Sequence, residues 1–223
     1  MSRPPEPPAW LAAVLAALAE GHDPATSTAW RRRVNGELDR LAGRVPFRVA
    51  YEWHVHLLAP TPDGAADRPV GDLLRRALAG DRVGAHGWRD ALRPALYELY
   101  LAGYPYAEAR AVAYADAHAY ATANDYGPDE VVGFAEHYAD LSTGANAEAF
   151  ADANAIANAD ALANALALAD EPAYAGTYPA ALVRAYALAE ANRAGTAGAP
   201  HALRAAYGRL ADALAESLSR VSD

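Results

Sequence analysis

The sequence predicts an all-α protein, either a compact multi-helix bundle or a short array of helical hairpins, with long central helices grooved by alanine. Three observations carry this expectation. Alanine, the best helix former, supplies much of the 53% apolar content. Glycine and proline clusters break the chain at helix-length intervals. In ANAEAFADANAIANADALANALALAD (Ala145 to Asp170) and AEARAVAYADAHAYATA (Ala107 to Ala123), alanine takes every second position. Such alternation usually marks a half-buried strand. Here it does not, because alanine, asparagine and aspartate are depleted in strands and 26 residues far exceed the usual strand of about 3–10.

The elements follow in order. Residues 1–8, MSRPPEPP, read as a flexible proline-rich N-terminus. Helices are expected over Ala9–Glu20, Ser27–Leu41 and Pro46–Ala59, forming an N-terminal helical region over 9–59. The last of these is ambiguous: Phe47, Val49, Tyr51, Trp53, Val55 and Leu57 alternate as a strand would. Helix is preferred there because a lone strand has no partner. A loop at 60–67, within APTPDGAADRP, separates this region from a main helical region over 68–223. That region is expected to contain helices over Val70–Ala79, Trp88–Leu101, Tyr106–Asn124, Pro128–Leu141, Ala145–Ala169, Pro179–Ala194 and Pro200–Val221, with Thr143 and Gly144 as a break.

On a helix, side chains four apart align as ridges. Between 145 and 169 two opposite ridges are wholly alanine: Ala145, Ala149, Ala153, Ala157, Ala161, Ala165, Ala169, and Ala147, Ala151, Ala155, Ala159, Ala163, Ala167. Each is a lane along which another helix can approach closely, so neighbours are expected on two sides. YLAGYPYAEARAVA from Tyr100 resembles YAGTYPAALVRAYA from Tyr174, and a weaker copy starts at Tyr138. The 36–38-residue spacing suggests helical-hairpin repeats, with alanine bias as the competing explanation.

Composition excludes several chemistries. Without cysteine there are no disulfides or thiolate sites, and without lysine there is no P-loop lysine or Schiff base. GxGxxG, HExxH and GxSxG are missing as well. A net charge of -9 argues against nucleic acid. No stretch approaches the roughly 20 apolar residues of a membrane span. The start of the chain lacks a basic segment before its apolar run, so a cytoplasmic location is expected. The acidity is uneven: residues 1–100 carry 13 Arg and 12 Asp plus Glu, residues 101–223 carry 6 and 16.

Three constellations could carry function. Asp116, His118, Glu148 and Asp152 could supply general acid-base catalysis if the two grooved helices bring them together. Tyr114, Tyr120, Asn154 and Asn158 lie on the same helices and could line a ligand site. Glu52, His54 and His56 share one side only if the segment is extended, and would then suit a divalent metal; otherwise no cofactor is expected. The first functional reading is a non-enzymatic interaction scaffold or adaptor that binds a protein or peptide partner, or self-associates, through a tyrosine-rich surface. The alternative is a binding protein or enzyme for a small apolar molecule, with a carboxylate- and histidine-lined cavity between helices.

Overall fold

Why the chain breaks where it does is visible in the computed structural model, which describes residues 6–21, 24–58 and 69–222. Among them are nine helices and no strand: α1 (Ala9–Ala19), α2 (Pro24–Arg40), α3 (Arg48–Leu58), α4 (Pro69–Leu78), α5 (Ala85–Ala102), α6 (Tyr106–Ala123), α7 (Pro128–Leu168), α8 (Glu171–Ala175) and α9 (Pro179–Ser219). Pro105, Pro128 and Pro179 stand at or just before helix starts, where a missing N–H costs nothing. The Tyr-Pro pairs of the two clearer sequence copies thus precede α6 and α9, whereas Tyr138 lies inside α7. The loop expected at 60–67 falls outside the described residues, as do residues 1–5 of the proline-rich start. No helix among the described residues is long and apolar enough to cross a membrane.

Two expectations need correction. The break at Thr143 and Gly144 does not occur: α7 runs unbroken for 41 residues. One internal glycine costs about 1 kcal/mol. Ending the helix there would orphan a turn of carbonyls and interrupt the packing of Ala139 and Ala147, both buried on the two sides of the break. Second, no helix is expected between Ala169 and Pro179, yet this stretch holds the short helix α8 (Glu171–Ala175). Its start is capped by the Asp170 carboxylate, which accepts a hydrogen bond from Ala173 N–H at 2.9 Å.

A continuous core joins α1 to α5, the C-terminal half of α7, α8 and α9. Edge-to-face aromatic contacts link Trp10, Phe47 and Tyr174 at its centre, with ring centroids 5.5–5.8 Å apart. Trp30 and Trp53 donate their indole N–H groups to Ala211 and Leu210 carbonyls at 3.0 and 3.1 Å, fixing α2 and α3 on α9. The helix α9 bends at Gly195, whose φ of 68° and ψ of 172° only glycine adopts without strain. Arg209 pairs with Glu190 across the bend.

Helices α5 and α6 lie end to end, both antiparallel to α7. Contacts step steadily along the pair: Arg89 to Asp160, Arg93 to Asp152, Tyr100 to Phe150, Arg110 to Asp140, Tyr120 to Phe134. The three ion pairs are exposed, so they fix register more than they add stability. A strict four-residue ladder of Val131, Ala135, Ala139, Thr143, Ala147, Ala151, Ala155, Ala159 and Ala163 is buried along α7, joined where the helix enters the core by Asn158, Leu162, Ala165 and Leu166. One alanine lane is therefore covered along its length. On the opposite lane Ala145, Ala149, Ala153 and Ala157 are exposed, so over this stretch a neighbour packs on one lane and not on both.

The corner between α5 and α6 rests on α9. Asn192 donates its side-chain amide to the carbonyls of Ala102 (2.7 Å) and Tyr104 (2.9 Å). A Cβ on Gly103 would stand 2.6 Å from the Ala185 carbonyl oxygen, a clash of backbone against backbone that no rotamer relieves. Gly103→Ala is therefore expected to lower the unfolding free energy by about 1–3 kcal/mol, measured by urea denaturation.

Candidate functional site

Beyond that corner, α6 and the first half of α7 leave the core and form a two-helix arm. The buried residues of the arm, Ala117, Ala121, Val131, Ala135, Ala139 and Ala147, are not part of the contiguous core. Their small side chains close a seam in which α6 packs on α7. Alanine contributes little buried area per residue, but its high helix propensity lowers the cost of keeping both helices formed. At 1.5 Å per residue α6 is about 27 Å long. The tip turns through Asn124 to Gly127, where Asp125 adopts a φ of 58°. There Glu130 caps α7 by accepting the Gly127 N–H at 2.9 Å. Asp129 and Glu130 in the first turn of α7 favour its positive dipole end.

Large apolar side chains are left outside on this arm. Among the described residues, eight of the twelve exposed large hydrophobics lie between Tyr106 and Phe150. Several gather in one open groove of about 560 Å³, lined by Asp116, Ala117 and Tyr120 of α6, Tyr126 of the turn, and Phe134 and Tyr138 of α7. Phe134 is its hub, with ring centroids 6.0 Å from Tyr120, 5.6 Å from Tyr126 and 6.0 Å from Tyr138. Tyr120, Tyr126 and Tyr138 remain 57%, 41% and 48% exposed. These rings are held against each other and open to water on one side.

The arm is also acidic. Residues 106–150 hold eight carboxylates and one arginine, so seven of the nine net negative charges of the chain reside here. The arginine, Arg110, is engaged by Asp140. Its hydrogen bond and charge hold the Asp140 carboxyl below the usual carboxylate range. Asp116 lies in the groove wall, and Glu108 stands two turns earlier on the same ridge of α6.

The residues singled out from sequence are only partly brought together. Asp116 and Tyr120 share the groove, while the His118 ring lies 5.9 Å from Tyr114 and outside the groove lining. With Arg110 abreast of Asp140, Asp116 faces the part of α7 before Tyr138. Glu148 lies at least ten residues farther along, about 15 Å or more. Asp152 pairs with Arg93 at 3.2 Å. The four acid-base candidates therefore do not converge.

Asn154 and Asn158 sit nearer the corner, where each donates to the carbonyl four residues earlier. Beside Asn158 the Tyr100 hydroxyl is buried without a formed hydrogen bond, and this burial pushes it up to about 12, Asn158 acting in the other direction. Tyr100, Tyr104 and Phe150 form a second aromatic contact there, at 5.6–6.0 Å.

Glu52, His54 and His56 do not meet, because α3 is helical and turns His54 away from the other two. Glu52 pairs with Arg48 at 3.0 Å, His56 is exposed, and His54 is fully buried with Nδ1–H donating to the Ala50 carbonyl at 2.8 Å. Among the described residues no group of three or more His, Asp or Glu is placed to hold a metal ion.

Compared with protein-family models, with curated proteins and with solved structures, the chain matches none. Phe134 escaped the sequence reading, and Tyr126 and Tyr138 enter it only as members of the tyrosine-rich middle of the chain. Their signal is visible in hindsight: aligning α6 against α7 about the turn at Asn124 to Gly127 sets Tyr120 opposite Phe134, with Tyr138 one turn beyond.

Proposed function

We propose that the protein is a non-enzymatic helical scaffold or adaptor that docks a protein or peptide partner on its projecting arm. The observation that carries this reading is the concentration of exposed large hydrophobics on one two-helix projection, while all four tryptophans are buried in the body. A chain folding only for itself gains by turning such side chains inward. The uncovered lane of Ala145, Ala149, Ala153 and Ala157 supports the same reading, since small residues permit close approach of another helix. The other reading, a small-molecule cavity walled by carboxylates and histidine, lacks comparable support because its members stand apart along the arm.

Paired charge insertion tests the docking face. Tyr120→Arg with Tyr138→Arg is expected to leave tryptophan fluorescence and helical content unchanged while abolishing retention of partners from a lysate of the source cells, compared quantitatively with the unmodified protein. Identical retained proteins in both samples would remove the arm from the interaction.

A further inference from the structure

The groove has a chemical character that narrows its partner, an inference that rests on the docking role above. It is lined by four rings, Phe134 with Tyr120, Tyr126 and Tyr138 packed around it. It runs between two antiparallel helices and offers no free backbone edge, so an extended strand gains no ladder of hydrogen bonds there. A third helix laid along the groove instead places apolar side chains at i, i+3 or i+4, and i+7 against the rings, completing a three-helix packing.

Charge decides between occupants. The wall carries Asp116, the same ridge carries Glu108, and Asp125, Asp129 and Glu130 ring the tip. Arg110, the single arginine between 106 and 150, is committed to Asp140. Two arms of two copies brought face to face would set like charges against each other in a partly desolvated contact, which costs free energy. A helix whose polar face is basic meets the opposite condition. It is steered toward the arm from a distance and pairs with carboxylates at the groove edge. We propose that the groove between α6 and α7 takes an amphipathic helix with leucine-like residues on one face and arginine or lysine on the other.

The probe is a fluorescein-labelled synthetic peptide of about 18 residues with leucines at helical a and d spacing and lysine or arginine elsewhere. Two controls accompany it: the same peptide with glutamate at the basic positions, and a scramble of equal composition without helical periodicity. Anisotropy titration of the full chain is expected to show the basic amphipathic peptide binding at least about tenfold tighter than either control, a difference of about 1.4 kcal/mol. This preference should shrink as salt shortens the reach of the charges, and should disappear in Tyr120→Ala with Tyr138→Ala.

Equal binding of the glutamate peptide or of the scramble overturns the proposal, as does a preference that survives the double substitution. Failure of the basic peptide to bind also overturns it, yet leaves the docking role intact if the arginine substitutions still remove a partner from the lysate. A dimer by light scattering that dissociates in Tyr120→Ala with Tyr138→Ala would make a second copy the occupant and would overturn the foreign basic helix.

Discussion

Leucine in place of Ala139 opens the arm and leaves the body folded. Ala139 is fully buried in the seam between α6 and α7, and three added carbons have no space between helices separated by methyl groups. Overpacking costs about 1–3 kcal/mol. The arm cannot share that cost with the main core, because its buried residues are not contiguous with it. Amides of α6 are therefore expected to exchange hydrogen roughly 5- to 150-fold faster, while the transition reported by Trp10, Trp30, Trp53 and Trp88, all in the body, stays where it was. Ala119→Leu provides the control. Ala119 is exposed on α6, and leucine there is expected to leave exchange unchanged.

Acid destabilises the body through His54. Burial drives its pKa from 6.5 down to about 4, opposed only in part by the hydrogen bond to Ala50. Nδ1 is the donor in that bond, and Nε2, close to the rings of Trp53 and Tyr174, has no protein partner. The folded state thus holds His54 neutral, whereas the unfolded chain protonates it below about 6.5. Between these values the unfolded state binds more protons, so stability rises with pH in this window and is fully present above it. Lowering the pH from 7 to 4 is expected to remove about 3 kcal/mol through this residue. In His54→Phe, denaturation midpoints measured across the same range should fall less steeply than in the unmodified protein. Curves of equal slope would show that His54 titrates normally.

Helical character was legible in the alanine content and the breakers, and the preference for helix over strand at Pro46–Ala59, where α3 spans Arg48–Leu58, rested on the lack of a sheet to join. What the sequence concealed were effects of tertiary context. Gly144 looks like a break because its propensity is local. The burial of Ala139, Ala147 and Ala151 on one ladder is not local, and it carries the helix through. Both alanine lanes of α7 look equivalent in sequence, but from Ala145 to Ala157 only one of them is buried, and Ala165 of the other is covered only where the helix enters the core. Pairwise placement was the least accessible feature. Asp116, His118, Glu148 and Asp152 lie on the two helices that do pack together, yet antiparallel register separates them, and it is this register that assembles Tyr120, Phe134 and Tyr138.

An arm of this kind depends on α7 being a single rod that runs from the core to the tip. The chain has no cysteine, so cysteines introduced at Val132 and Leu168, both exposed on α7, can be spin-labelled without interference. Their separation by electron double resonance is expected as one narrow distribution near 54 Å, the rise of 36 residues at about 1.5 Å each. A distribution centred below roughly 40 Å, as a helix folded back at residues 143 and 144 would give, would contradict the projecting arm and with it the docking face.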